Sequence, residues 1–450
     1  MSRVDLRRDV GSLTSGRACH SKISWFQSTS RHDIIESSSA FQSASERKMP
    51  SEDLITIYFV SYIPCAVIGS WIMDRRSLGF GVVFGGFLQA FGATLRYAAC
   101  SLGPEGEAYL TLAGQTIASL AMPFMVNSPP LFSANWFPPS MRAVATNVTL
   151  NANALGTAVV YLMAPFIVLS TDDVPSWNLY VALVAVGSSV VAAFFFRSRP
   201  PSRKLNVEKE EKYEWKQWWT AFMCPGFWHT IIAFSLAECI INAWSALLDE
   251  FLGETPLTKP QIGVVGAVFI VSSLIGGQIV SQGVDKKRNH QEATLLCLFL
   301  TAISIMLFQL LSKLELQATL VSLLITGAVL GPIQPIVLEL GVECAHPTSE
   351  ATVAALQQLC GNFLSAIAVP LLSALQRRSL STADQQPQHQ NFYTSPEWVM
   401  VFMTIATSIV FYFYNGKYKR SAHESKIVLS RIDLDPVITV NTSTEEASFS

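Results

Sequence analysis

An all-α membrane protein built from two pseudo-symmetric helical halves is the fold class that three features of the sequence predict. Half of the residues are apolar, the mean hydropathy is +0.35 and only 14% are charged, where a soluble domain carries about 25%. The apolar residues gather in eleven runs, most of them near the roughly 20 residues that cross a bilayer as a helix. A glycine, aspartate and cation pattern and a proline-marked turn also recur at nearly one offset, which points to an internal repeat.

Residues 1–53 hold thirteen serines and no apolar run, a composition that predicts disorder rather than a signal peptide. Apolar spans follow at Leu54–Met73, Phe80–Cys100, Ala108–Leu131, Ala143–Leu169 and Trp177–Phe196, giving an N-terminal half over 54–196. Residues 197–226 form a charged linker containing YEWKQWW, where Trp215, Trp218 and Trp219 share one helical face and predict a short helix lying at the headgroups. A second half over 227–414 holds Phe227–Leu252, Gly263–Val280, Ala293–Leu311, Ala318–Val342, Val353–Leu375 and Trp398–Tyr414. Residues 415–450 are polar again and read as a disordered tail. Lipid offers backbone groups no partners, so every span is expected to be helical.

Lysine and arginine assign the expected sidedness, because cytoplasmic loops are enriched in both. One set of alternate loops, with Arg75, Arg142, the linker, Lys286–Arg288 and Lys417–Arg420, holds 16 of these residues, and the other set holds 4. The linker, 284–292 and the tail are therefore expected in the cytoplasm. Eleven spans then put residues 1–53 outside despite their eight lysines and arginines, so a first helix is expected to be missing from this chain.

Composition also excludes several classes. A net charge of -2 selects no nucleic acid partner, and the eight cysteines show no zinc or disulfide spacing. No paired-histidine, aspartate-rich or nucleophile motif marks an enzyme. No cofactor and no metal are expected. The expected partners are the lipid bilayer and a small-molecule solute, with the chain acting as a monomer.

The repeat carries the next step. Gly69 precedes Asp74, Arg75 and Arg76, while Gly276 and Gly277 precede Asp285, Lys286, Lys287 and Arg288, and the two aspartates lie 211 residues apart. Pro139 precedes Arg142 by three residues and Pro347 precedes Glu350 by three, the prolines lying 208 apart. This pattern resembles the signature of the major facilitator superfamily. Within it, PFMVNSPPLFSANWFPPSMRAVATNVT, VSYIPCAVIGSWIMDRRSLG, GATLRYAA and LELGVECAHPTSEAT resemble the feline leukaemia virus subgroup C receptor family, over residues 54–414. In the first of these stretches, Pro129, Pro130, Pro138 and Pro139 are expected to end the fourth family helix and shape a tight turn.

The resemblance implies a twelve-helix transporter fold, with substrates such as choline and ethanolamine, haem, or a vitamin-like compound. It also implies gating contacts. Asp74, with Arg75 beside it, is expected at the start of the eleventh helix near Ser349 and Glu350, and Asp285 at the start of the fifth near Ser140, with Arg142 adding charge. Choline carriers of that family share a cage of a first-helix tryptophan, a seventh-helix tyrosine and glutamines on the fifth and eleventh helices. Those positions fall here on a helix absent from the eleven spans, on Asn242, on Ala154 and on Asn362, with Trp244 two residues from the tyrosine position. No histidine stands inside a span as an axial haem ligand: His229 opens a span and His346 lies in a turn.

Intramembrane polar residues are the remaining candidates. Glu238 lies midway along its span, where a carboxylate costs roughly 2.5–3.5 kcal/mol, and is expected to face a cavity. It attracts a cation or exchanges a proton there, or is a hydrogen-bonded structural residue. Asn147, Asn151 and Asn153 on one helix, and Gln357, Gln358 and Asn362 on another, line a solute path or join helices. Arg96 is expected to snorkel to the outer surface, and Glu339 and Glu343 to gate or be solvated at the cytoplasmic end. The function expected is transport of a small organic solute such as choline, haem or a related metabolite by alternating access. The alternative is a transport-incompetent, receptor-like or scaffold relative. The expected location is the plasma membrane or an endolysosomal or vacuolar membrane.

Overall fold

The computed structural model describes residues 51–102, 104–168, 173–198, 216–252, 258–311, 316–385, 395–423 and 425–426. The expectations for residues 1–50, for Trp215 and for 427–450 concern residues outside this set. Among the described residues every regular element is a helix. The order is α1 (Ser51–Arg75), α2 (Leu78–Ala99), α3 (Pro104–Ser119), α4 (Met122–Val126), α5 (Ser128–Trp136), α6 (Arg142–Ile167) and α7 (Val174–Phe195). It continues with α8 (Lys216–Phe222), α9 (Phe227–Leu252), α10 (Lys259–Lys287), α11 (His290–Leu311), α12 (Leu316–Leu330), α13 (Ile333–Ala345), α14 (Glu350–Gln385) and α15 (Pro396–Tyr412).

Among the described residues eight stretches are long and apolar enough to cross a membrane, from Leu78–Ala99 to Glu350–Gln376, and Ile57–Met73 and Pro396–Tyr412 are shorter apolar helices. Helix α6 is as long as these, but its threonines and asparagines dilute its apolarity. The chain is an integral, multi-pass membrane protein.

Two spans that read as single helices are jointed. Ala108–Leu131 is divided among α3, α4 and α5, and Ala318–Val342 between α12 and α13. Pro129 and Pro130 do not end a helix, as their sequence context suggested, but occupy the first turn of α5. A proline there gives up an amide that would have no intrahelical partner in any case. The helix stops instead at Phe137, which is extended before Pro138. At the second joint Pro332 stands at the start of α13, 209 residues after Pro123 in α4, so the joints recur with the period of the repeat.

Helices α1–α7 and α9–α15 each pack mainly among themselves, and the two groups meet along α6 against α10 and α1 against α14. Close approach within the first group depends on glycine: a Cβ on Gly114 would stand 2.7 Å from the Gly92 carbonyl oxygen, and one on Gly92 would stand 2.8 Å from the Ala118 nitrogen. The second group has the larger apolar core, around Phe234, Trp244, Phe269, Leu298 and Phe308.

Helix α8 divides its tryptophans. Trp218 packs with Ala221 and Phe222 against a cluster under Phe227, whereas Trp219 is exposed, so they do not share a face as the spacing suggested. One indole covers the protein and the other faces outward.

Candidate functional site

Glu238 is half-buried midway along α9 and gathers amides from three helices. Its Oε1 accepts from Gln358 Nε2 of α14 at 2.8 Å and from Asn242 Nδ2, one turn along α9, at 3.3 Å. Its Oε2 accepts from Gln334 Nε2 of α13. Asn242 also donates to Ser365 Oγ at 3.0 Å. Gly361 makes the space, since a Cβ there would stand 3.0 Å from Glu238 Cγ. All these donors are neutral, so they orient the carboxylate without cancelling its charge.

Across the seam, Tyr62 of α1 packs near Leu359, the neighbour of Gln358, and lies within electrostatic reach of Glu238. Its hydroxyl donates to Asn127 Oδ1 at 2.7 Å, in the joint between α4 and α5. A turn away, Tyr58 lies within reach of Arg96. Arg96 does not snorkel: it is 1% exposed and donates to Gln115 Oε1 at 2.9 Å. The acceptor on α3 turns the guanidinium inward, against the expectation drawn from its place near a helix end.

The other candidates divide. Gln358 and Asn242 join Glu238. Asn362 is buried one turn beyond Gln358 and donates to its carbonyl at 2.9 Å. Asn151 donates to Asn147, whose Nδ2 donates to Gln278 Oε1 at 2.9 Å, so this pair joins α6 to α10 rather than α6 to the Glu238 group. Asn153 is exposed, about 200° around α6 from Asn151. Trp244 is corrected outright. It is 1% exposed and packs edge-on against Phe308 at 4.8 Å and Phe251 at 5.1 Å, in the apolar core. Gln357 joins helices, donating to Thr230 Oγ1 at 3.0 Å. Gln334 and Tyr62 were not anticipated. Gln334 stands between two prolines in GPIQPIV, and that pairing is its one sequence signal.

A second cluster closes the face that carries most of the lysines and arginines. Asp285 accepts from the backbone amides of Val144 at 3.0 Å and Ala143 at 3.3 Å, at the start of α6. Ser70 of α1 donates to the Ala351 carbonyl of α14 at 3.3 Å. The side chain of Asp74 lies outside the described residues, and Arg75 is exposed, with its guanidinium 5.1 Å over the Trp71 ring. Arg142 is buried within reach of Glu339. Glu339 and Glu343 are both buried rather than solvated, and they hold Arg420 at 2.8 Å and 3.4 Å, with Glu350 at 3.8 Å. Burial alone would weaken the charge on Arg420, but Glu339, Glu350 and Glu343 more than offset it and raise its pKa. Burial lowers the pKa of His346, and His423 beside it pushes the same way.

Comparison with known proteins follows this geometry. Solute carrier family 49 member A3 of Danio rerio is 26% identical over 381 residues, covering 83% of this chain and 80% of that one. The choline/ethanolamine transporter FLVCR1 of Felis catus is 24% identical over 366 residues, covering 76% and 62%. The solved D-xylose–proton symporter superposes with a TM-score of 0.63 at 12% identity, over 91% of this chain and 99% of that one. The E. coli fucose:proton symporter does so with 0.61 at 13%, over 89% and 98%. At such identities these two show the fold alone. The Major Facilitator Superfamily profile matches residues 38–370, well over half of the sequence. Two helical groups meeting along α6–α10 and α1–α14, with relatives of the solute carrier 49 and FLVCR kind, lead to one assignment: the chain belongs to the Major Facilitator Superfamily.

Proposed function

We propose that the chain carries a small organic cation, an amine bearing N–H or O–H donors, through a path between the two halves by alternating access. The observation that carries this reading is the Glu238 carboxylate, oriented by Gln334, Gln358 and Asn242 with no cation among these partners. An intramembrane carboxylate held in this way keeps its attraction for a positive charge. The residues around it are amides and a hydroxyl, where a quaternary ammonium is best held by aromatic faces. Asn242, at the position of the family's tyrosine, supplies a hydrogen-bonding group instead. An ethanolamine-like solute therefore suits this site better than a choline-like one. Tyr62 is proposed as the facing wall. The face rich in lysine and arginine is proposed to be cytoplasmic, by the positive-inside bias, in a chain that acts as a monomer.

The test is uptake into proteoliposomes of radiolabelled ethanolamine, choline and neutral analogues, comparing the parent with Glu238→Gln. Uptake of the primary amine is expected to fall about tenfold or more, the scale of losing a charge-assisted contact of 1.5–3 kcal/mol. Equal uptake by the two proteins overturns the role of Glu238.

A further inference from the structure

After α15 the chain turns back and runs along the basic face. Tyr414 stacks on Phe411 with ring centres 5.5 Å apart, and Gly416 lies against Gly226, whose φ of +88° no other residue adopts easily. Tyr418 donates to the Arg288 carbonyl at 3.1 Å and lies 3.2 Å from His290 Nδ1. Lys419 Nζ stands 3.4 Å from Cys224 Sγ. Ser421 donates to Glu343 twice, from its backbone nitrogen at 3.0 Å and from its hydroxyl at 2.7 Å. The segment is docked by both backbone and side chains.

Glu339 joins this docking to the seam between the halves. Its Oε2 takes Arg420 at 2.8 Å, while its Oε1 accepts from Thr146 of α6 at 2.7 Å and Ser133 of α5 at 3.3 Å. One oxygen of a buried carboxylate is thus held by the returning segment, and the other by the opposite half. A charge buried this deeply needs compensation. Arg420 supplies it through a direct contact, and Arg142 adds to it from the other half. Opening this face separates Glu339 from Thr146 and Ser133.

We propose that residues 414–423 form a latch on the cytoplasmic gate and that Arg420 is the positioning residue coupling the latch to the seam. Withdrawal of Arg420 removes the cation that stabilises Glu339 in the closed seam, so undocking of the segment and opening of the gate are linked. Arg420 therefore acts on the cycle from outside the membrane-spanning helices and without touching solute. The inference rests on the alternating-access reading, but its test reads accessibility and not uptake, so the two fail separately.

The experiment alkylates the full chain with a membrane-impermeant maleimide applied to the basic face in inside-out vesicles. Labelling is read site by site by peptide mass spectrometry. Cys224 reports docking of the segment, and Ala351→Cys, buried where α14 meets Ser70, reports the seam. Arg420→Gln is expected to raise labelling at both sites about fivefold or more, the lower end of ordinary coupling between sites. A rise at Cys224 with none at Ala351→Cys overturns the latch, because the segment then undocks without consequence for the gate. Should Arg420→Gln fail to insert, Arg420→Lys keeps the charge but not the planar fork. It is expected to raise Ala351→Cys labelling by a smaller factor, and parental labelling there overturns the proposal equally.

Discussion

Asp285 holds Val144: the carboxylate at the end of α10 accepts the amide at the start of α6 at 3.0 Å, across the boundary between the halves. A carboxylate on otherwise unpaired helix N-terminal amides gains about 1–2 kcal/mol when partly buried. Asp285→Asn should remove most of that while leaving the shape unchanged. Its expected outcome is a several-fold rise in maleimide labelling of Ala351→Cys, with normal insertion. Parental labelling would reduce this contact to helix capping alone.

Gly361 leaves the room that Glu238 occupies, with a Cβ contact of 3.0 Å if one were added. Gly361→Val is expected to displace Glu238 from Gln358 and lower uptake about tenfold, with expression and elution profile unchanged, as misplacement of a binding group does. Gly361→Ala should lose less, since a flexible side chain gives way to one carbon. Parental uptake by the valine variant would move the solute path away from α9 and α14.

Trp244 distinguishes core from path. Removing a buried tryptophan costs about 3–5 kcal/mol, so Trp244→Ala should lower the apparent melting temperature sharply. Trp244→Phe should restore most of the stability and keep the parental KM for uptake. A KM that rises severalfold in the phenylalanine variant would place this side chain on the path after all.

Arg96 and Gln115 form a buried pair between α2 and α3. Arg96→Leu leaves Gln115 without this donor and is expected to cost about 1–3 kcal/mol, seen as a lower melting temperature in detergent. The double change Arg96→Leu with Gln115→Leu should recover part of the loss, because both polar groups are then gone. A double variant no more stable than the single one would show that Arg96 acts through other partners.

The helices were legible because lipid demands long apolar runs, and among the described residues the interior of each run lies on helix, two of the runs being divided by joints. The joints were not, since a proline in the first turn of α5 looks in sequence like a proline just past a helix end. The amides of Asn242 and Gln358 were legible as polar residues inside apolar spans. Gln334 was hidden because the joint before α13 decides which way it points. Arg420 counted only as a topological charge, and its burial depends on a chain reversal after Tyr412 that no local pattern announces. The aspartate of the repeat was legible by position on α10, where Asp285 accepts the Val144 amide of α6.

Ser133 and Glu339 lie on α5 and α13, both on the gate side of the joints near Asn127 and Pro332. Each sealing piece is therefore a short knuckle at the end of a two-piece column. Ser133 and Glu339 meet across the seam at 3.3 Å, so each column changes direction next to a contact between the halves. In the proposed cycle these knuckles part together with the α6–α10 and α1–α14 seams, and each column bends where the seam opens.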